Sequence, residues 1–137
     1  MRGFDEIDGK DTNARMSPRK KRPPAVKFLD VVAAARKLPE IEVSTSYGTP
    51  SIKVRGKMLA RMQEDGETLV LRTDFVARQI LTQADPEAFH FTEHYRNYPL
   101  VLVRLRAVQR AALPDLLERA WRDVAPKSLI AELDARP

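Results

Sequence analysis

The spacing of apolar residues changes period several times along the chain, and each change marks an element. Phe28, Leu29, Val32 and Ala33 recur at helical spacing in a run that opens at Ala25 and closes at Pro39. Proline closes it because its ring excludes the preceding residue from helical dihedrals. In SYGTPSIKVRG the period drops to two, with Ile52 and Val54 alternating with Lys53 and Arg55, the signature of a half-buried strand. A tight turn at Arg55-Gly56 leads into KMLARMQ, and a second at Asp65-Gly66 leads into TLVLRT, which predicts a three-stranded antiparallel meander.

Helical spacing returns in FVARQILTQA, with Asp74 placed to cap it and Phe75, Val76, Ile80 and Leu81 expected to face inward. PLVLVRLRAV is the most strand-like run of the chain. It is followed by a helix over about Gln109 to Val124, whose stripe is Leu113, Leu116, Leu117, Ala120, Trp121 and Val124. Pro114 suits the first turn of that helix, and Pro126 ends it. Ser128 is placed to cap a last short turn carrying Leu129, Ile130 and Leu133.

Grouped hairpins flanked by amphipathic helices predict an α+β class in two layers. The expected sheet is antiparallel, with about four to five strands and helices on one face, in the order α-β-β-β-α-β-β-α. Residues 25–137 form this single domain. Residues 1–24 show no apolar periodicity, contain SPRKKRPP and are expected to be a disordered basic tail.

Charge adds a direction. The chain carries a formal +5 over 137 residues and has no cysteine, so disulfides and thiolate metal sites are excluded and a cytoplasmic location is expected. No apolar run is long enough to span a membrane, so no membrane partner is expected. Much of the charge lies in the tail, where Arg19, Lys20, Lys21 and Arg22 could follow a phosphate backbone.

The strand period implies a second basic surface. If Ile52, Val54, Met58, Ala60, Met62, Leu69 and Leu71 face the helices, the opposite face carries Lys53, Arg55, Leu59, Arg61, Val70 and Arg72. Leu102, Arg104 and Arg106 of the last strand join them. Arginines also commonly lie across the wet face of a sheet without any partner, their stems covering apolar neighbours. No aromatic residue interleaves with these cations on the predicted strands, which argues against base stacking there.

His90, Glu93 and His94 spell H-x-x-E-H, the inverted zinc-peptidase pattern, in a chain with two histidines. A zinc site would need both histidines one helical turn apart and a further ligand. Phe89 and Phe91 flank His90 at strand period, Thr92 and Asn97 disfavour a helix, and no carboxylate is marked out as that further ligand. The expectation is therefore no metal, no cofactor and no enzyme activity, with His94, Tyr95 and Tyr98 packing at the sheet edge.

Four blocks, SYGTPSIKVRGKMLARM, TLVLR, FTEHYRNYPLVLVRL and AWRDVAPKSL, resemble in order the signature blocks of the MmcQ/YjbR-like family. The resemblance runs from Val26 to Leu129. It implies a compact α+β domain similar in shape to frataxin-type folds, and a DNA-binding role without catalysis. The matching positions are Gly48, Pro50, Lys57, His94, Tyr98, Pro99, Trp121, Pro126 and Lys127, of which Lys57 and Lys127 are candidates to meet phosphate. Residue reading and resemblance together lead to a protein that contacts duplex DNA phosphates through Arg19–Arg22, Lys53, Arg55, Lys57, Arg61, Arg72 and Lys127. The alternative is a module that takes a protein or small ligand in a groove near His94, Tyr95, Tyr98 and Trp121.

Overall fold

The computed structural model describes residues 25–137; the tail with Arg19, Lys20, Lys21 and Arg22 lies outside the described residues. Six strands form one antiparallel sheet: β1 (Ile41–Ser46), β2 (Thr49–Val54), β3 (Lys57–Met62), β4 (Thr68–Arg72), β5 (Phe89–His90) and β6 (Leu100–Arg104). Their order across the sheet is β1-β2-β3-β4-β6-β5. Four helices accompany them: α1 (Phe28–Ala35), α2 (Phe75–Ala84), α3 (Leu113–Val124) and α4 (Lys127–Asp134). The α+β class holds, with one strand more than the pattern predicts.

The extra strand is β1. Ile41-Glu-Val-Ser-Thr-Ser carries two apolar residues in six, too few to stand out, yet it pairs with β2 along its whole length. Tyr47 and Gly48 join the two strands with φ of 55° and 79°, and Arg55 and Gly56 join β2 to β3 with 51° and 79°. Left-handed dihedrals at both central residues define the type I′ turn, whose twist matches that of the strands. The third hairpin is tied by Asp65, whose carboxylate accepts from the Glu67 and Thr68 amides and the Thr68 hydroxyl. The bond from the Glu67 amide is the chief reason its carboxyl sits below the usual range.

A β-bulge changes which residues face the core. Ile52 pairs with Ala60, but Lys53 pairs with Met58, so Leu59 is the extra residue on β3. Leu59 is fully buried in the core, and Met58 turns to the other face, the reverse of strict alternation. The remaining face residues hold: Ile52, Val54, Ala60, Met62, Leu69 and Leu71 pack against the helices together with Val101 and Val103. The helix α3 packs on α1 and on β3, and Trp121 is wholly buried, with Nε1 donating to the Pro39 carbonyl at 3.0 Å.

The helices differ from the periodic reading in detail. In α1 the buried residues are Val31, Val32 and Ala35, while Leu29 is exposed. Pro126, not Ser128, caps α4. The largest departure is α2. Asp74 caps it as expected, accepting from the Ala77 amide at 2.7 Å. However, Ala77 and Arg78 are the buried residues, and Phe75, Val76 and Ile80 are exposed, Val76 by 70%. A small residue at the contact lets the helix approach β5 and β6, and Arg78 takes the space that a larger apolar side chain would have filled.

Candidate functional site

The sheet face away from the helices is not flat. Because paired residues share a face, Ser51, Arg61, Val70, Leu102 and His90 form one row across β2, β3, β4, β6 and β5. Over this row folds the segment between β5 and β6, which contains a short 3₁₀ turn, Glu93–Tyr95. With the β1–β2 hairpin opposite, it encloses a groove of about 660 Å³. Lys53, Met58 and Arg61 line its floor, and Tyr47, His94, Tyr95 and Tyr98 line its walls. All three tyrosines of the chain are gathered here. No carboxylate lines the groove.

Arg61 occupies the centre. Its Nη2 donates to the Tyr95 hydroxyl at 2.8 Å, and its guanidinium lies 5.3 Å from the centre of the Tyr47 ring. The arginine thus joins the two walls, stacked on one ring and hydrogen-bonded to the other. Tyr47, in its left-handed position at the hairpin tip, is 87% exposed, and Tyr98 is 56% exposed. Arg72 reaches along the same face from β4, its Nε donating to the Met58 carbonyl at 3.2 Å. Among the described residues Lys53, Arg61 and Arg72 make no ion pair with a carboxylate; Lys53 and Arg61 line the groove, and Arg72 does not.

Arg78 holds the wall in place. Only 7% exposed, it donates through Nη1 to the carbonyls of Tyr95, Tyr98 and Leu100 and through Nη2 to that of Arg96, at 2.8–3.2 Å. Its guanidinium lies 3.9 Å from the centre of the Phe91 ring and 4.9 Å from that of Phe75. Burial, and then the neighbouring charge of Arg96, push it down from the ordinary arginine value. Four carbonyl dipoles and two ring faces take the place of a counter-ion.

A wider hollow of about 910 Å³ lies at the opposite end of β6, lined by Arg104, Arg106 and Arg110 among others. Its cations are already engaged. Arg106 pairs with Glu67, Arg110 with Asp30, and Arg104 donates to the carbonyls of Pro86 and Glu87.

A model of the YjbR family matches residues 36–123. The chain belongs to the YjbR family. It is 39% identical over 46 residues to uncharacterised proteins of Mycobacterium tuberculosis and Mycobacterium bovis, a stretch that covers 34% of this chain and 36% of each relative. The match therefore spans about a third of those relatives' length. The crystal structure of Deinococcus radiodurans protein DR2400, a DUF419 domain, is similar with a TM-score of 0.66 at 23% identity, covering 84% of this chain and 93% of that one. At that identity the likeness is one of fold.

Within this YjbR domain the candidate residues fall into separate places. Lys53, Arg61, His94, Tyr95 and Tyr98 meet in the groove, with Arg72 beside it. Arg55 does not join them: at the β2–β3 turn it forms a two-pronged pair with Glu40, at 2.6 and 3.0 Å, which raises its own basicity and lowers that of Glu40. Lys57 pairs with the core residue Val54 and so leaves the sheet on the helix side. Lys127 opens α4, in the helix layer. Trp121, expected at the groove, is instead wholly inside the core on the other side of the sheet.

The histidines are likewise separated by local structure. His90 lies in β5, facing the open side, and His94 lies in the 3₁₀ turn, so they do not share a helical turn. Among the described residues no three histidine or acidic side chains gather into a group fit to hold a metal. Glu93 pairs instead with Arg96 at 3.2 Å. No described helix is long and apolar enough to cross a membrane.

Two members of the site escape the strand pattern. Tyr47 was accessible through the Tyr-Gly pair at a hairpin tip, once Ile41, Val43 and Thr45 are read as a strand. Arg78 carries no such signal, since a charged residue within an amphipathic helix normally faces water.

Proposed function

We propose that this YjbR domain is a non-enzymatic nucleic-acid-binding module that takes the polyanion on its open sheet face. The observation that carries the reading is the groove lining: Lys53 and Arg61, three tyrosines, a histidine and no carboxylate. Lys53 lies opposite Glu42 on β1 but, like Arg61, forms no ion pair among the described residues; such cations attract phosphates and release the counterions condensed on them, which favours binding at low salt. Elsewhere on the sheet and its turns Arg55, Arg96, Arg106 and Arg110 are paired with acids. Arg19, Lys20, Lys21 and Arg22 would add phosphate contacts that are indifferent to sequence.

The test is fluorescence anisotropy of a labelled random-sequence DNA, as single strand and as duplex, titrated with the full chain across a salt series. Binding that weakens steeply with salt, and weakens further when Lys53 and Arg61 are both changed to Gln, is the expected result. No binding of either form at low salt would remove the proposal. A second reading, a small anionic ligand, is favoured by the groove volume of about 660 Å³, which suits a single compact molecule.

A further inference from the structure

The floor cations fit any polyanion, but the walls are more selective. Tyr47 stands 87% exposed at the tip of a two-residue turn, with φ of 55°. That left-handed position suits Gly or Asn, and a bulky aromatic residue there is strained. The ring gains little burial in return, so folding alone does not account for it. Its one described partner is Arg61, 5.3 Å from the ring centre. Tyr98 presents a second ring, 56% exposed, on the opposite wall, held there because Arg78 binds its carbonyl at 3.0 Å. Two open rings therefore flank the row of cations.

Resting on the nucleic-acid reading above, we propose that the ligand is single-stranded, with unpaired bases stacking on Tyr47 and Tyr98 while Lys53 and Arg61 meet the phosphates. In a duplex the faces of the bases are already stacked on one another, so exposed rings have nothing to meet. An unpaired base offers both faces, and every base has one, so such stacking tolerates sequence. Arg61 serves both partners, because it lies against the Tyr47 ring and still directs charge into the groove. The strands themselves carry no aromatic residue among these cations; Tyr47 and Tyr98 come from a turn and a loop, and so escape any reading of strands alone.

The test uses the full chain with a fluorescein-labelled oligodeoxythymidine of about 12 nucleotides, within the range a small binding face covers. A blunt duplex of equal length and mixed sequence is the comparison, both at low salt. Tyr47→Asn removes the ring while placing a residue well suited to the turn, so the hairpin is not at risk. Tyr47→Phe keeps the ring. The single strand should bind more tightly than the duplex, and Tyr47→Asn should weaken it at least about five-fold, the smaller end of what one stacked base contributes. Tyr47→Phe should bind like the parent, and the salt dependence of all three should be alike. Equal or tighter duplex binding, or full affinity in Tyr47→Asn, would overturn the single-strand assignment and leave the broader proposal standing. Absence of binding by both DNA forms would overturn the two together.

Discussion

Arg61 and Tyr95 lie 34 positions apart, yet the guanidinium of one donates to the hydroxyl of the other at 2.8 Å. This bond ties the centre of the sheet to the loop before β6 and closes one wall of the groove. The loop itself has no buried residue in its 3₁₀ turn, so its position depends on polar contacts from outside it. Arg61 supplies one such contact, and Arg78 supplies four.

Arg78→Met should therefore loosen the groove wall more than the sheet. The substitution leaves four carbonyls without their donor and should lower stability by about 2–4 kcal/mol. Urea unfolding measures the loss. Hydrogen exchange should show it concentrated in residues 91–100, with β2 and β3 less affected. Arg78→Lys should not restore the parent value, because a single ammonium cannot reproduce the planar fork.

The bulge on β3 makes neighbouring residues unequal. Leu59→Ala should cost about 2–4 kcal/mol, since the side chain is fully buried in the core. Met58→Ala, on the groove side, should cost about 1 kcal/mol or less. Equal losses in thermal or urea unfolding would contradict the bulge.

Trp121 provides a control on the location of the site. Trp121→Phe leaves the Pro39 carbonyl without its donor and opens a small cavity, for an expected cost of about 1–3 kcal/mol. Affinity for nucleic acid should stay unchanged under conditions where the variant is folded. A selective loss of binding would place Trp121 in the site after all.

His90 should make stability depend on pH. Its Nδ1 is buried with no hydrogen-bond partner, and burial, followed by the charge of Arg104, holds the imidazole below its ordinary value of 6.5. The unfolded chain therefore takes up the proton first as pH falls. The stability tied to the neutral ring is fully present above pH 6.5 and declines as pH drops from there towards the folded value. In His90→Phe the urea midpoint should flatten across that interval, and a slope identical to the parent's would exclude this histidine as the cause.

Salt dependence sorts the cations. Changing both Lys53 and Arg72 to Gln should lower the slope of log affinity against log salt by about 1 for each phosphate contact removed. Arg55→Gln and Lys127→Gln should leave it unchanged, one being paired with Glu40 and the other lying in the helix layer. Replacing Arg19, Lys20, Lys21 and Arg22 with Ala should weaken binding evenly across sequences if the tail contributes.

The sequence by itself determined the class, the central strands, the cap at Asp74 and the cations Lys53, Arg61 and Arg72 on the outer face. These features are local: a period of two, a turn dipeptide or a capping carboxylate acts within a few residues. Tertiary structure decided what depends on distance. It exchanged Met58 for Leu59, because a bulge is a property of two paired strands and not of one. It turned α2 so that Arg78 is buried and Val76 exposed, because carbonyls 17 to 22 positions away needed a donor. It brought Tyr47, Tyr95 and Tyr98 together around Arg61, from a hairpin and a loop whose separate patterns share no period. And it separated Lys57 from the open face, since only the pairing of strands settles which side of the sheet a residue occupies, tied Arg55 to Glu40, and put Lys127 and Trp121 in the helix layer.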